Sequence, residues 1–82
     1  MRYIYATRID TILSEVKCVY TVYGIDAIDL GTGNVLCSCP DIFTDLFEAE
    51  HTVELLNKEG LELVHLHDVI DDIITKNHTH VN

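Results

Sequence analysis

Two cysteines stand one residue apart in the stretch VLCSCPD, and their type and spacing suggest chemistry. On a β-strand, residues two apart point to the same face, so Cys37 and Cys39 could share a metal ion or act as a pair of reactive thiols. A zinc site takes about four ligands, and the remaining candidates are Cys18, His65 and His67. Free cysteine is also among the most buried residue types. We therefore interpret the pair as core packing and keep a metal or thiol site on Cys18, Cys37 and Cys39 as an alternative, which requires Cys18 to lie opposite Cys37.

The two histidines of the HLHD stretch give a weaker indication of a metal. On a helix His65 and His67 diverge by about 200°, so they could chelate one ion only on an extended segment. We expect His65 at the entry of a helix, bonded to its first turn or to Asp68. Metalloproteases need histidines four apart with a glutamate between them, and Ser14 and Ser38 lack a Gly-x-Ser-x-Gly context. The sequence therefore predicts neither catalysis nor a cofactor.

Acidic residues dominate the charge of the chain. Its 82 residues include 14 Asp and Glu against 5 Lys and Arg, which gives a formal net charge of −9. Such a chain repels nucleic acid and anionic membrane surfaces, whereas a basic protein partner is allowed. Because there is neither a long apolar span nor a signal peptide, we expect a cytosolic protein whose cysteines are free thiols.

Strand-like runs fill the first half of the chain. Residues 2–9 and 16–25 are rich in Tyr, Val, Ile and Thr, and the second run is apolar on both faces. Gly24 lies inside that run, where we expect a bulge or a sharp bend. The GTGN sequence at 31–34 predicts a hairpin turn, because the lysine of a phosphate-binding loop and the helix of a dinucleotide-binding motif are both absent. We expect Pro40 to end the last strand.

Helical patterns fill the second half. Asp45 with Glu48 has the form of a capping box, and Gly60 is a natural stop. A second helical pattern consists of Leu66, Val69, Ile70, Ile73 and Ile74. We predict a single α+β domain over residues 1–82, with three or four antiparallel strands followed by two helices on one sheet face, and a frayed tail at 77–82.

Two short helices can cover only one face of such a sheet. The second apolar face of residues 16–25 then needs another cover, and a second copy of the chain is the simplest one. Tyrosine suits an interface that is partly apolar and partly wet. The interface candidates are Tyr3, Tyr5, Val19, Tyr23 and Ile25.

Two stretches of the sequence, YGID at 23–26 and VHLHDVIDD at 64–72, are similar to a known family. The chain resembles a family of small proteins from clostridia-like Gram-positive bacteria that is classed as a domain of unknown function. Its members share a Tyr-Gly-Ile-acid strand, a pair of helices and a His-Leu-x-Asp-Val start to the last helix. The likeness covers residues 20–74, and it implies a bacterial cytosolic protein without implying an activity.

These observations predict a non-catalytic cytosolic module for protein interaction or regulation that forms a homodimer. The reasons are the high hydrophobic content of 48% in a short chain, the acidity and the lack of a catalytic set. One alternative is an acidic inhibitor or nucleic-acid mimic that blocks a basic partner, which would gather carboxylates on one face. The other is the metal or thiol site on the cysteines.

Overall fold

The computed structural model describes residues 2–79, of which 77–79 are described by their backbone alone. Three antiparallel strands in the order β1-β2-β3 are followed by two helices, so the α+β fold is confirmed. The elements are β1 (Tyr3–Leu13), β2 (Val19–Asp29), β3 (Val35–Phe43), α1 (Leu46–Glu59) and α2 (Leu66–Thr79), with a 3-10 turn (Leu63–His65) before α2. A fourth strand is not found within these residues.

At Gly24 the backbone of β3 comes very close to the backbone of β2. The backbone of β3 approaches it so closely that a Cβ would collide with the carbonyl oxygen of Cys39 and would lie 2.8 Å from the Cα of Pro40. The pairing of β2 with β3 shifts register between Tyr23 and Ile25, so the irregularity predicted at Gly24 is present, but its extra residues lie on β3 between Cys39 and Phe43. Because the bulge does not interrupt the pairing of β2 with β1, residues 19–29 form a single strand.

The prediction that Pro40 ends the last strand is wrong. β3 continues past it to Phe43, which pairs with Tyr23 of β2. β3 is an edge strand, where a proline is tolerated because its missing N–H can face away from the ladder. The next residue, Asp41, has a φ of 56°, so the chain bends locally and then resumes pairing.

Both ends of α1 lie where the sequence predicts them. Asp45 is the N-cap, and its carboxylate accepts a hydrogen bond of 3.0 Å from the backbone N–H of Phe47. Gly60 is the C-cap in the left-handed conformation, with a φ of 64°, as a helix-stopping glycine should be. α2 runs from Leu66 to Thr79, so residues 77–79 of the predicted frayed tail are helical. Residues 80–82 lie outside the described part of the chain.

The hydrophobic core lies between the helices and the odd-numbered face of β1 and β2. Tyr5, Ile25 and Ala27 are buried there because the helices lie directly above them. The other buried members are Cys39, Phe43, Ala49, Val53, Leu56, Leu66 and Ile70. Leu66 and Ile70 belong to the predicted apolar stripe of α2, which therefore faces the sheet.

The hairpin of β1 and β2 extends beyond this core. β3 pairs with β2 only from Tyr23 onward, so residues 9–21, which we call the arm, form a ribbon of two strands and a turn. The molecule measures 43 × 30 × 19 Å and has a radius of gyration of 13.8 Å. A compact chain of this length would have a radius of about 12 Å. The arm is the reason for the elongated shape.

Among the described residues, no helix is both long enough and apolar enough to span a membrane.

Candidate functional site

Cys37 and Cys39 lie on the face of β3 that packs toward the helices. Cys39 belongs to the core, whereas Cys37 is half-buried and packs against it. His67, in the first turn of α2, places its Nε2 atom 3.8 Å from the Cys37 sulfur. The structure thus brings together three of the five residues considered as ligands, and we call them the thiol cluster.

The two thiols of the cluster have different surroundings. Cys39 is only 7% exposed, and burial, followed by the neighbouring Cys37 sulfur, raises the pKa of its thiol to about 11. It therefore stays protonated near neutral pH. Cys37 is the more accessible thiol and has an imidazole nitrogen beside it, which can accept its proton when the imidazole proton is on Nδ1. The arrangement suits thiol chemistry that begins at Cys37.

Cys18 and His65 lie apart from the thiol cluster. Cys18 is exposed in the turn between β1 and β2, where its carbonyl oxygen accepts a hydrogen bond of 2.9 Å from the Ser14 N–H. Cys37 instead pairs with Ala27, nine residues along β2 from Cys18, or about 30 Å in an extended strand. The fold therefore does not assemble the alternative three-thiol site, because Cys18 does not lie opposite Cys37. His65 is exposed at the end of the 3-10 turn.

In the described part of the chain, no group of three or more His, Cys, Asp and Glu side chains is arranged to hold a metal ion. The sequence pattern alone does not distinguish His65 from His67 as a ligand. Position on α2 distinguishes them, since His67 lies three residues before Ile70 and thus borders the apolar stripe that faces the sheet.

Two tyrosines of β1 form hydrogen bonds with the segment that connects α1 to α2. The rings of Tyr3 and Tyr5 meet edge to face with centroids 5.8 Å apart. The Tyr5 hydroxyl donates to the carbonyl of Leu61 at 2.8 Å, and the Tyr3 hydroxyl accepts from the N–H of Leu63 at 2.7 Å. The shallow pocket of about 370 Å³ beside them is lined by Arg2, Tyr3, Tyr5, Leu30, Gly60 and Leu61. Because both hydroxyls are engaged with backbone groups, we assign this pocket no ligand.

The helix-free face of the sheet carries a polar network at its centre. The Arg8 guanidinium lies 2.8 Å from a carboxylate oxygen of Asp10 and 3.7 Å from one of Asp26. Ser38 donates to the other Asp26 oxygen across β2 and β3. The hydrogen bond to Asp10 is the main cause that raises the pKa of Arg8. This part of the face is therefore polar, in contrast to the apolar face that the sequence suggested.

The arm carries most of the exposed apolar side chains of the sheet. Ile9, Leu13 and Val19 share the face that the helices cover elsewhere, and they are 62%, 66% and 67% exposed. Val16 and Tyr20 are exposed as well. Of the five predicted interface residues, only Val19 is exposed.

The other four interface candidates lie in or against the core. Tyr5 and Ile25 are buried beneath the helices, and Tyr3 and Tyr23 are half-buried against the same cluster. The prediction that these four form an open interface is wrong for the folded chain, because the helices cover the odd-numbered face on which they lie.

One side chain of α1 occupies part of the outer edge of β1. The Asn57 amide accepts from the N–H of Tyr5 at 2.8 Å and donates to the carbonyl oxygen of Tyr5 at 2.9 Å, as a neighbouring strand would. The backbone groups of Tyr5 therefore point away from β2. Since this orientation repeats at every second residue, the outward groups of Ile9, Thr11 and Leu13 lie along the same edge. No further strand of the described chain covers that edge.

Comparisons with known protein families, with curated proteins and with solved structures found no match to this chain.

Proposed function

We propose that this chain is a cytosolic, non-catalytic module for protein interaction or regulation, of bacterial origin, and that it self-associates through its arm. The observation that carries the proposal is the exposed apolar row of Ile9, Leu13 and Val19 beside the open edge of β1. A two-stranded ribbon is only marginally stable alone in water. A second copy whose β1 pairs with this edge would satisfy the open backbone groups and place the two apolar rows side by side, which removes part of their surface from water.

The outward backbone groups of β1 favour one pairing register with the second copy. In an antiparallel pair around a two-fold axis at Thr11, each Thr11 stands opposite its own copy, and Ile9 stands opposite Leu13 of the second copy. All of these positions have outward N–H and C=O groups, and the apolar row becomes continuous across the axis. The result is a six-stranded sheet in the order β3-β2-β1-β1-β2-β3.

The distribution of charge favours this mode of assembly over one through the helices. The arm contains Asp10, Glu15 and Lys17, a formal charge of −1, so the other residues carry −8 of the total of −9. Two copies that meet through their arms keep the acidic parts at opposite ends. At physiological salt, exposed charges separated by more than about 8 Å are largely screened. The repulsion that opposes association is thus smallest at the arm.

The first experiment compares Leu13→Lys with Val64→Lys by sedimentation equilibrium at tens of micromolar. Both residues are exposed and apolar, at 66% and 74%, but Val64 lies outside the arm. The unmodified chain and Val64→Lys should show twice the 9.3 kDa of one chain. Leu13→Lys should raise the dissociation constant by about 100-fold, because each dimer carries the substitution twice. A clean monomer for the unmodified chain, or equal effects of both variants, would contradict the proposal.

A second experiment tests which edge pairs. In a Cys18→Ser/Cys37→Ser background, which removes both accessible native thiols, Thr11→Cys should form a covalent dimer under mild oxidation, because facing residues of a hydrogen-bonded antiparallel pair have Cα atoms about 5.5 Å apart. Thr21→Cys is the matched control, since Thr21 pairs with Thr11 within the hairpin and shares its face. If Thr21→Cys cross-links instead, the edge of β2 is the one that pairs.

A further inference from the structure

The thiol cluster lies outside the arm, beside Ile25 and Ala27 of β2, and is not used by the function proposed above. We propose that Cys37, Cys39 and His67 form a thiol–disulfide exchange site, at which Cys37 attacks a low-molecular-weight disulfide and Cys39 then resolves the mixed disulfide. The two thiols point to one side of β3, one half-buried and one in the core, and the imidazole contacts the accessible one. This juxtaposition assigns a different role to each residue.

Cys37 is the thiol that an external disulfide can reach. His67 Nε2 lies 3.8 Å from its sulfur, close enough to take the thiol proton once the sulfur shifts slightly, leaving a thiolate beside an imidazolium. Cys39 is 7% exposed and is therefore shielded from a molecule in solution. It can react only with a sulfur that is already attached to its neighbour on the strand.

The exchange balances in two steps. The Cys37 thiolate attacks one sulfur of RSSR, a Cys37–SR bond forms, the S–S bond of the reagent breaks, and RS⁻ leaves with the electron pair. Cys39 then loses its proton to solvent, attacks the Cys37 sulfur and releases a second RS⁻. The protein loses two electrons and two protons, and the external disulfide is reduced to two thiols.

The spacing along β3 predicts that the resulting disulfide is easily reduced. Residues two apart in an extended strand have Cα atoms about 6.6 Å apart, close to the upper limit for a disulfide, and their Cβ atoms lie about as far apart, beyond the usual range of about 3.5–4.5 Å, so the strand must bend for the bond to form. Closing the bond thus strains the strand, and strained disulfides have more oxidising potentials than relaxed structural ones. The site is therefore suited to reversible exchange rather than to a permanent cross-link.

The surroundings of the two thiols predict which step is slow. The groups that titrate or carry charge near them are Tyr5 on β1, Asp26 on β2 and His67 on α2. Burial and then Cys37 raise the pKa of Cys39 to about 11, so few molecules carry the Cys39 thiolate at neutral pH. Release of the second RS⁻ should accordingly accelerate as the pH rises above neutral.

The test uses an aromatic disulfide, 5,5′-dithiobis(2-nitrobenzoate), with the folded Cys18→Ser chain, because Cys18 is exposed and would react on its own. We expect two equivalents of released thiolate per chain, a final mass lower by two hydrogens and no retained adduct. Cys18→Ser/Cys39→Ser should release one equivalent and keep the adduct on Cys37. Cys18→Ser/Cys37→Ser should not react while folded. This variant therefore still identifies Cys37 as the attacking thiol if the Cys39 variant fails to fold.

The histidine is tested by the rate of the first release across pH. His67→Gln should slow it about tenfold near pH 7 and move its pH profile upward, whereas His65→Gln, an exposed histidine outside the cluster, should leave both unchanged. The proposal is overturned if the thiols of the Cys18→Ser chain stay inert until unfolding, or if the adduct persists with Cys39 present. An unchanged rate and pH profile in His67→Gln would show that the imidazole takes no part in the reaction of Cys37.

Discussion

The arm and the body of this molecule are built from the same two strands, yet they bury their side chains to different extents. In the body, meaning the two helices and the sheet beneath them, Ile25 of β2 is fully buried. In the arm, Val19 of the same strand and the same face is 67% exposed. The strand sequences are similarly apolar in both regions. On this face, the presence of a covering helix, and not the local pattern, therefore decides which residues become core.

This difference should appear as a gradient of stability along the hairpin. Side chains buried in the body gain about 1.5–3 kcal/mol each from leaving water, whereas exposed ones in the arm gain little within one chain. Regions with few buried apolar contacts open at lower free energy than the core. The arm is thus the region that profits most from a second copy.

The largest expected effect compares one leucine from each region. Leu66→Ala, at a fully buried position of the body, should lower the free energy of unfolding by about 2–5 kcal/mol. Leu13→Ala should change it by less than about 0.5 kcal/mol when the chain is dilute. Urea unfolding at low micromolar concentration measures both. Equal losses would show that the arm is packed as tightly as the body.

A glycine comparison tests the junction between the two regions. Gly24→Ala should lower the free energy of unfolding by about 1–3 kcal/mol, because the new methyl group collides with the backbone of β3. Gly31→Ala is the control, since its Cβ would lie 3.3 Å from a carboxylate oxygen of the flexible Asp29 side chain. Thermal unfolding measures both variants, and a Gly24→Ala chain as stable as the Gly31→Ala chain would mean that β3 can move away.

Local features of the sequence predicted the ends and turns well. Asp45, Gly60 and Gly24 act within a few residues of their own position, so capping and bulge rules identify them. The faces of the sheet were not predictable in this way, because β2 is apolar on both sides and only the placement of the helices distinguishes them. The contact of Cys37 with His67 spans 30 residues and depends on how α2 crosses the sheet.

The smallest expected effect concerns the tyrosine that ties β1 to the helices. Burial, and then the neighbouring Tyr3, raise the pKa of Tyr5 from its usual value of 10 to about 12. Between pH 10 and 12 the unfolded chain loses this proton while the folded chain keeps it, so stability falls as the pH rises through that window. Tyr5→Phe should lose the hydrogen bond to Leu61, a cost of about 1 kcal/mol at neutral pH.

The same variant should also remove the alkaline loss of stability that Tyr5 causes. Tyr20→Phe, a change at a half-exposed arm position, should leave both the neutral stability and the alkaline slope nearly unchanged. Urea unfolding midpoints from pH 8 to pH 11 measure the two slopes side by side. If Tyr5→Phe kept the full slope, the alkaline loss of stability would come from a group other than Tyr5, and the attachment of β1 to the helices would not depend on the protonated Tyr5 hydroxyl.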